Sequence, residues 1–113
     1  MDKITKALPD LVKEIVGVLA ADGRKELADQ LREATISRVA YDETSDAANI
    51  ELGEARPLNA VEQNVIGVRH GETISIGTQY DVNLDTDNFG RLSSIEILSA
   101  KRLKKALKKY GSV

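Results

Sequence analysis

Asp85, Asp87, Gly90 and Glu96 fall at the first, third, sixth and twelfth positions of a calcium-loop template. Oxygen ligands at that spacing suit a hard divalent cation, and the glycine permits the sharp turn. Phe89, however, stands at the fifth position, where a ligand oxygen is required. The flanks alternate at period two, whereas a calcium hand carries a helix on each side. Asp-rich hairpin chemistry yields the same letters, so the stretch reads as a turn and no metal is assigned. His70, the lone histidine, could act as a general base, but no nucleophile and orienting partner accompany it at a recognisable spacing. Beside Gly71 it reads as an exposed turn residue. No nucleophile elbow, phosphate loop, dinucleotide fingerprint or zinc motif is present, and the absence of cysteine excludes thiolate sites. No catalytic residue, cofactor or small-molecule substrate is therefore expected.

What remains is charge. The net charge of −2 hides a segregation: Ala40–Leu98 carries eleven acidic residues against Arg56, Arg69 and Arg91, while the residues from Ser99 onward carry six basic residues and no acid. The basic set, Lys101, Arg102, Lys104, Lys105, Lys108 and Lys109, surrounds an apolar stripe of Leu103, Ala106, Leu107 and Tyr110. It reads as the solvated face of a docked helix, since no aromatics are interleaved to stack on bases. A phosphate-contacting helix in a nucleic-acid-binding regulator is the alternative. The acidic set has two readings as well. It can keep a sheet soluble and its edges unpaired. It can equally form a negative surface that attracts a basic protein; against a nuclease, carboxylates would occupy the place of substrate phosphates. The candidate partner-binding residues are Asp42, Asp46, Glu51, Glu54, Glu62, Asp85 and Asp87.

Elements must position these residues. At 113 residues and 42% hydrophobic, the chain is long enough for one domain with one core, and at 4% aromatic that core is aliphatic. No apolar run reaches the length of a membrane span and no signal peptide is read, so a cytoplasmic protein is expected. Pro9 suits a first helical turn, and apolar residues from Leu11 to Ala20 form a wide stripe, which could serve as a dimer contact. Asp22-Gly23 ends that helix, and Arg24–Ala34 resumes with Leu27, Ala28, Leu31 and Ala34 inward, giving a helical hairpin over 1–34. Period-two alternation then predicts strands at Ile36–Tyr41 and Asp46–Leu52. A further strand is expected over Leu58–Val68, bulged at Val65-Ile66, followed by an Arg69–Glu72 turn and short strands around Ile74–Ile76, Tyr80–Leu84 and Ile95–Ile97. Ser99 is placed to cap a final helix closed by Gly111. The fold class is α+β: an N-terminal helical hairpin, an antiparallel sheet of four or five strands in meander order over 35–98, and a C-terminal helix over 99–113 packed on it.

Tyr41-Asp42, Asp46-Ala47, Ile50 and Leu52, then Tyr80-Asp81-Val82, Asp85, Asp87, Gly90-Arg91-Leu92, Ile95-Glu96-Ile97-Leu98, Ala100 and Leu103, resemble the domain-of-unknown-function family twenty-two eighty-three. The resemblance covers roughly Val39–Leu103. Gly67–Gln79 stands as an insertion, the N-terminal hairpin lies outside the pattern, and Ser94 occupies a position where Gly is common. The resemblance implies an antiparallel sheet followed by a helix and implies no catalytic residue. By analogy it implies a partner of a toxin-like ribonuclease, an antitoxin or immunity protein of bacterial competition.

Overall fold

A computed structural model of the chain describes residues 2–53, 56–64 and 67–110. Glu54, the Val65-Ile66 bulge and the Gly111 helix stop lie outside the described residues. The fold is α+β, as the residue pattern predicts. Helices α1 (Ile4–Ala7), α2 (Pro9–Ala21) and α3 (Lys25–Glu33) precede strands β1 (Ile36–Asp42) and β2 (Ala47–Leu52). A short helix α4 (Ala60–Gln63) leads to β3 (His70–Ile76), β4 (Val82–Asp87) and β5 (Leu92–Ile97), and a 3₁₀ turn at Lys101–Leu103 runs into α5 (Lys104–Leu107). Pro9 does sit at the first turn of α2, and Gly23 follows it at φ 76°, where a side chain would be strained.

The five strands form one antiparallel sheet in the order β1-β2-β5-β4-β3. The meander order is thereby corrected. Hairpin logic holds within β1-β2 and within β3-β4-β5, but residues 53–69 carry the chain from β2 past two strands to the far edge. That crossing spans about 14 Å at the usual strand spacing, well within the reach of such a connection.

Register explains the core. Val39, Ile50, Ile95, Leu84 and Ile74 lie in one cross-strand row, and Tyr41, Ala48, Ile97, Val82 and Ile76 lie in the next. Both rows face the helices, with Leu11, Ile15 and Leu19 of α2 and Leu27, Ala28 and Leu31 of α3 packed into the same buried cluster. Each fully buried aliphatic side chain contributes about 1.5–3 kcal/mol. The apolar stripe of α2 is consumed here: Leu11, Val12, Ile15 and Leu19 are buried. It is not left as a dimer contact.

Three further expectations are overturned. Leu58–Val68 holds no strand among its described residues. Asn59 instead caps α4 by accepting from the Glu62 amide at 2.8 Å, while Glu62 Oε1 accepts from the Asn59 amide at 3.0 Å, a capping box. The Asn-x-x-Glu spacing just after Pro57 is the sequence signal for it. His70–Glu72 is strand, not turn, because Gly71 lets β3 bulge against Asp87 and continue the ladder. Ser99 caps nothing: the 3₁₀ turn starts after Ala100 with no side-chain cap, and the last helix is a single turn held by buried Leu107.

Candidate functional site

The face of the sheet turned away from the helices is polar. In register across it run Arg38, Glu51, Ser94, Asp85 and Thr73, and beside them Ala40, Asn49, Glu96, Asn83 and Ser75. The side chains are tied laterally. Thr73 Oγ1 donates to Asp85 Oδ1 at 2.6 Å, and Ser94 Oγ donates to Asp85 Oδ2 at 3.2 Å. Asn83 Nδ2 donates to Glu96 Oε1 at 3.1 Å, and Ser75 Oγ donates to Asn83 Oδ1 at 3.0 Å. The result is a preorganised surface in which Glu51, Glu96 and Asp85 outnumber Arg38. Glu96 was not among the expected partner-binding residues. Its place between Ile95 and Ile97 signals that it points outward.

The expected acidic residues divide between this face and the turns. Glu51 is exposed on the face, Asp85 is half-buried on it, and Asp42 is exposed at its β1 end. Asp42 also accepts from the Thr44 amide at 2.9 Å, closing the β1-β2 turn. Asp46 holds that turn from the other side. It adopts φ 54°, accepts from Tyr41 Oη at 2.8 Å, and its carbonyl accepts from the Ala100 amide at 2.9 Å. The Asp46 bond, with burial and neighbouring carboxylates, pushes the Tyr41 phenol up to about 12.

Asp87 and Glu62 are clamps. Asp87 is buried and accepts from the Phe89 and Arg91 amides, both at 2.9 Å, and from Arg91 Nε at 2.7 Å. Burial pushes its carboxyl up, but the Arg91 amide, the Arg91 side chain and the Phe89 amide outweigh that, and its pKa falls below the ordinary 3.8. Arg91 reaches on to the Arg56 carbonyl at 3.2 Å, and Arg56 grips Glu62 through both nitrogens at 2.7 and 3.1 Å. Gln30, buried on α3, closes the assembly by accepting from the Leu92 amide and donating to the Gly90 carbonyl. These groups hold the β2-β3 connection and α3 to the β4-β5 turn.

The Arg56 bond, aided by the Asn59 amide, lowers the Glu62 carboxyl from 4.5 to about 2. A carboxylate depressed on folding lends stability that is fully present above 4.5 and is lost as pH falls through about 2. Thermal melts between pH 5 and pH 2 should therefore show the native chain losing its advantage over Glu62→Gln, with the two converging near the lower limit. Parallel pH dependences would contradict the clamp.

The calcium-like constellation is not assembled. Asp87 is committed to Arg91, Glu96 belongs to the outer face, and no group of three or more His, Cys, Asp or Glu among the described residues is placed to hold a metal ion. His70 is 59% exposed in its side chain, with Nε2 3.2 Å from Thr73 Oγ1 and Nδ1 4.0 Å from Asp85. The Thr73 hydroxyl donates to Asp85.

The basic helix is partly spent on docking. Lys104 pairs with Glu43 and lies 5.7 Å over the Tyr41 ring, and Arg102 donates to Gln79 while lying 5.6 Å over Tyr80. Lys104 lowers the Glu43 carboxyl. Lys101, Lys105, Lys108 and Lys109 remain exposed. No helix among the described residues is long and apolar enough to cross a membrane.

A family model described as a protein of unknown function (DUF2283) matches residues 38–101, a span that takes in all of β2, β3, β4 and β5 and nearly all of β1. The chain matches no curated protein and no solved structure.

Proposed function

The chain belongs to the DUF2283 family, and we propose that within it this protein is a non-enzymatic binder of the immunity or antitoxin type, which occludes a basic toxin, a nuclease domain, with its uncovered sheet face. The observation that carries this reading is the register itself. It gathers Glu51, Glu96 and Asp85 on two adjacent rows of a hydrogen-bonded face that no helix among the described residues covers. Asp85 and Glu96, held by Thr73, Ser94 and Asn83, meet Lys and Arg with little ordering cost, and the shared sign of all three carboxylates speeds encounter with a cationic partner. The binding residues are Asp42, Glu51, Asp85 and Glu96, whereas Asp46, Glu62 and Asp87 serve the turns. Glu54 lies outside the described residues.

The reading is tested by co-expressing the chain with the product of a toxin-like reading frame beside its own. The native chain should restore growth and co-purify with that product. Glu51→Lys combined with Glu96→Lys should weaken binding by at least a hundredfold, while Asp10→Lys with Glu26→Lys, on the helical side, should leave it intact. Equal protection by both double variants would count against the sheet face. A nucleic-acid regulator, the second reading, rests on the four exposed lysines; it predicts steep salt dependence of binding and its loss when Lys105 and Lys108 are neutralised.

A further inference from the structure

We propose that two copies of the chain pair β3 with β3 about a twofold axis at Ile74, so that two five-stranded sheets become one. The sheet has two edges, β1 and β3. α5 packs beside β1. β3 contains neither Lys nor Pro, the residues that most often blunt an exposed edge.

The first half of β3 is kept from pairing. It bulges between His70 and Thr73, and Glu72 is held by both nitrogens of Arg24 at 3.2 Å. The second half, Thr73–Ile76, keeps regular register with β4. The Glu72 amide donates to Thr86 Oγ1 at 3.2 Å, which turns the Glu72 backbone toward β4. The N–H and C=O of one residue share a side and alternate along a strand, so those of Ile74 also face β4. Those of Thr73 and Ser75 then face the open edge.

This pattern is self-complementary. A twofold axis at Ile74 sets Thr73 of one copy opposite Ser75 of the second, and four backbone hydrogen bonds close two rings. Ile74, half-buried in one copy, meets its equivalent as a close non-hydrogen-bonded pair on the helix-covered side. Glu72 falls opposite Ile76, so like charges do not face each other. On the outer side the row ending in Asp85 and Thr73 continues into Ser75 and Asn83 of the second copy, making one polar face of double width.

So small an interface implies a weak dimer, with a dissociation constant of roughly 10–1,000 μM. Sedimentation equilibrium of the full chain should show the average mass rising toward the dimer across that range. Ile74→Lys, which sets two ammonium groups face to face, should weaken association at least tenfold. Because that substitution also touches the core edge, a second variant is needed. The chain has no cysteine, so Ile74→Cys should form a symmetric disulfide under mild oxidation at least tenfold faster than Lys13→Cys, an exposed control on α2. A monomer at 1 mM overturns the proposal, as does association indifferent to Ile74→Lys. Equal cross-linking of the two cysteine variants does the same.

Discussion

Asp87→Ala is expected to lower the stability of the fold by about 3–5 kcal/mol, the cost of breaking a buried ion pair by removing one partner. The carboxylate is 7% exposed, and the Arg91 side chain that it holds is 10% exposed. Alanine would strip the Phe89 and Arg91 amides of their acceptor and remove the carboxylate that the Arg91 Nε grips. Arg91 also reaches the Arg56 carbonyl, so the damage should spread into the connection between β2 and β3. Asp87→Asn keeps an acceptor for the amides but not the charge, and should fall in between. Urea unfolding followed by circular dichroism measures both. A loss below about 1 kcal/mol for Asp87→Ala would mean that the residue is not a clamp, and would return it to the set of partner-binding candidates.

Gly71→Ala is expected to cost on the order of 3 kcal/mol, for steric reasons alone. A Cβ there would press on the Asp87 carbonyl, whose carbon lies 2.6 Å away, and on the Asn88 amide nitrogen at 3.1 Å. Backbone cannot yield as a flexible side chain does, so β3 must move off β4. Gly23→Ala provides the contrast: nothing lies within 4 Å of its Cβ position, and only its φ of 76° opposes a side chain. That substitution should cost about 1 kcal/mol. Similar losses at the two sites would show that the β3 bulge tolerates rearrangement. In that case the edge geometry that follows Glu72, and the pairing inferred from it, would no longer hold.

The elements whose apolar residues are unambiguous were legible from the sequence. The stripes of α2 and α3, Pro9 at the start, Gly23 at the close and the alternation in β2, β4 and β5 all locate real structure, because one face of each is buried. β3 was legible only at Ile74 and Ile76. Its first half, His-Gly-Glu, is exposed on both sides, so no burial pattern marks it, and glycine there supplies space and not a turn. The β1-β2-β5-β4-β3 order was hidden because the crossing depends on a long connection, about which hairpin chemistry says nothing.

The acidic site was half legible. A carboxylate count cannot separate a clamp from a surface. Asp87 is distinguished by the Arg four residues on, Glu62 by the Asn three residues before it, and Glu96 by its two isoleucine neighbours. The letters that carry the family resemblance divide between turn chemistry, Tyr41 with Asp46 in one turn and Asp87 with Arg91 in the other, and strand positions such as Ile50, Asp85, Ile95 and Glu96. The same letters thus include both turn clamps and outward carboxylates, Asp42, Asp85 and Glu96, so the resemblance alone does not separate scaffold from binding face.

The most direct measurement is an amide chemical-shift map of the isotope-labelled chain, recorded while the cationic toxin-like protein is added. The proposed function predicts that shifts concentrate at Asn49, Glu51, Asn83, Asp85, Ser94 and Glu96, with α2 and α3 still. Shifts confined to those helices or to Lys101–Lys109, with the sheet rows unmoved, would contradict it.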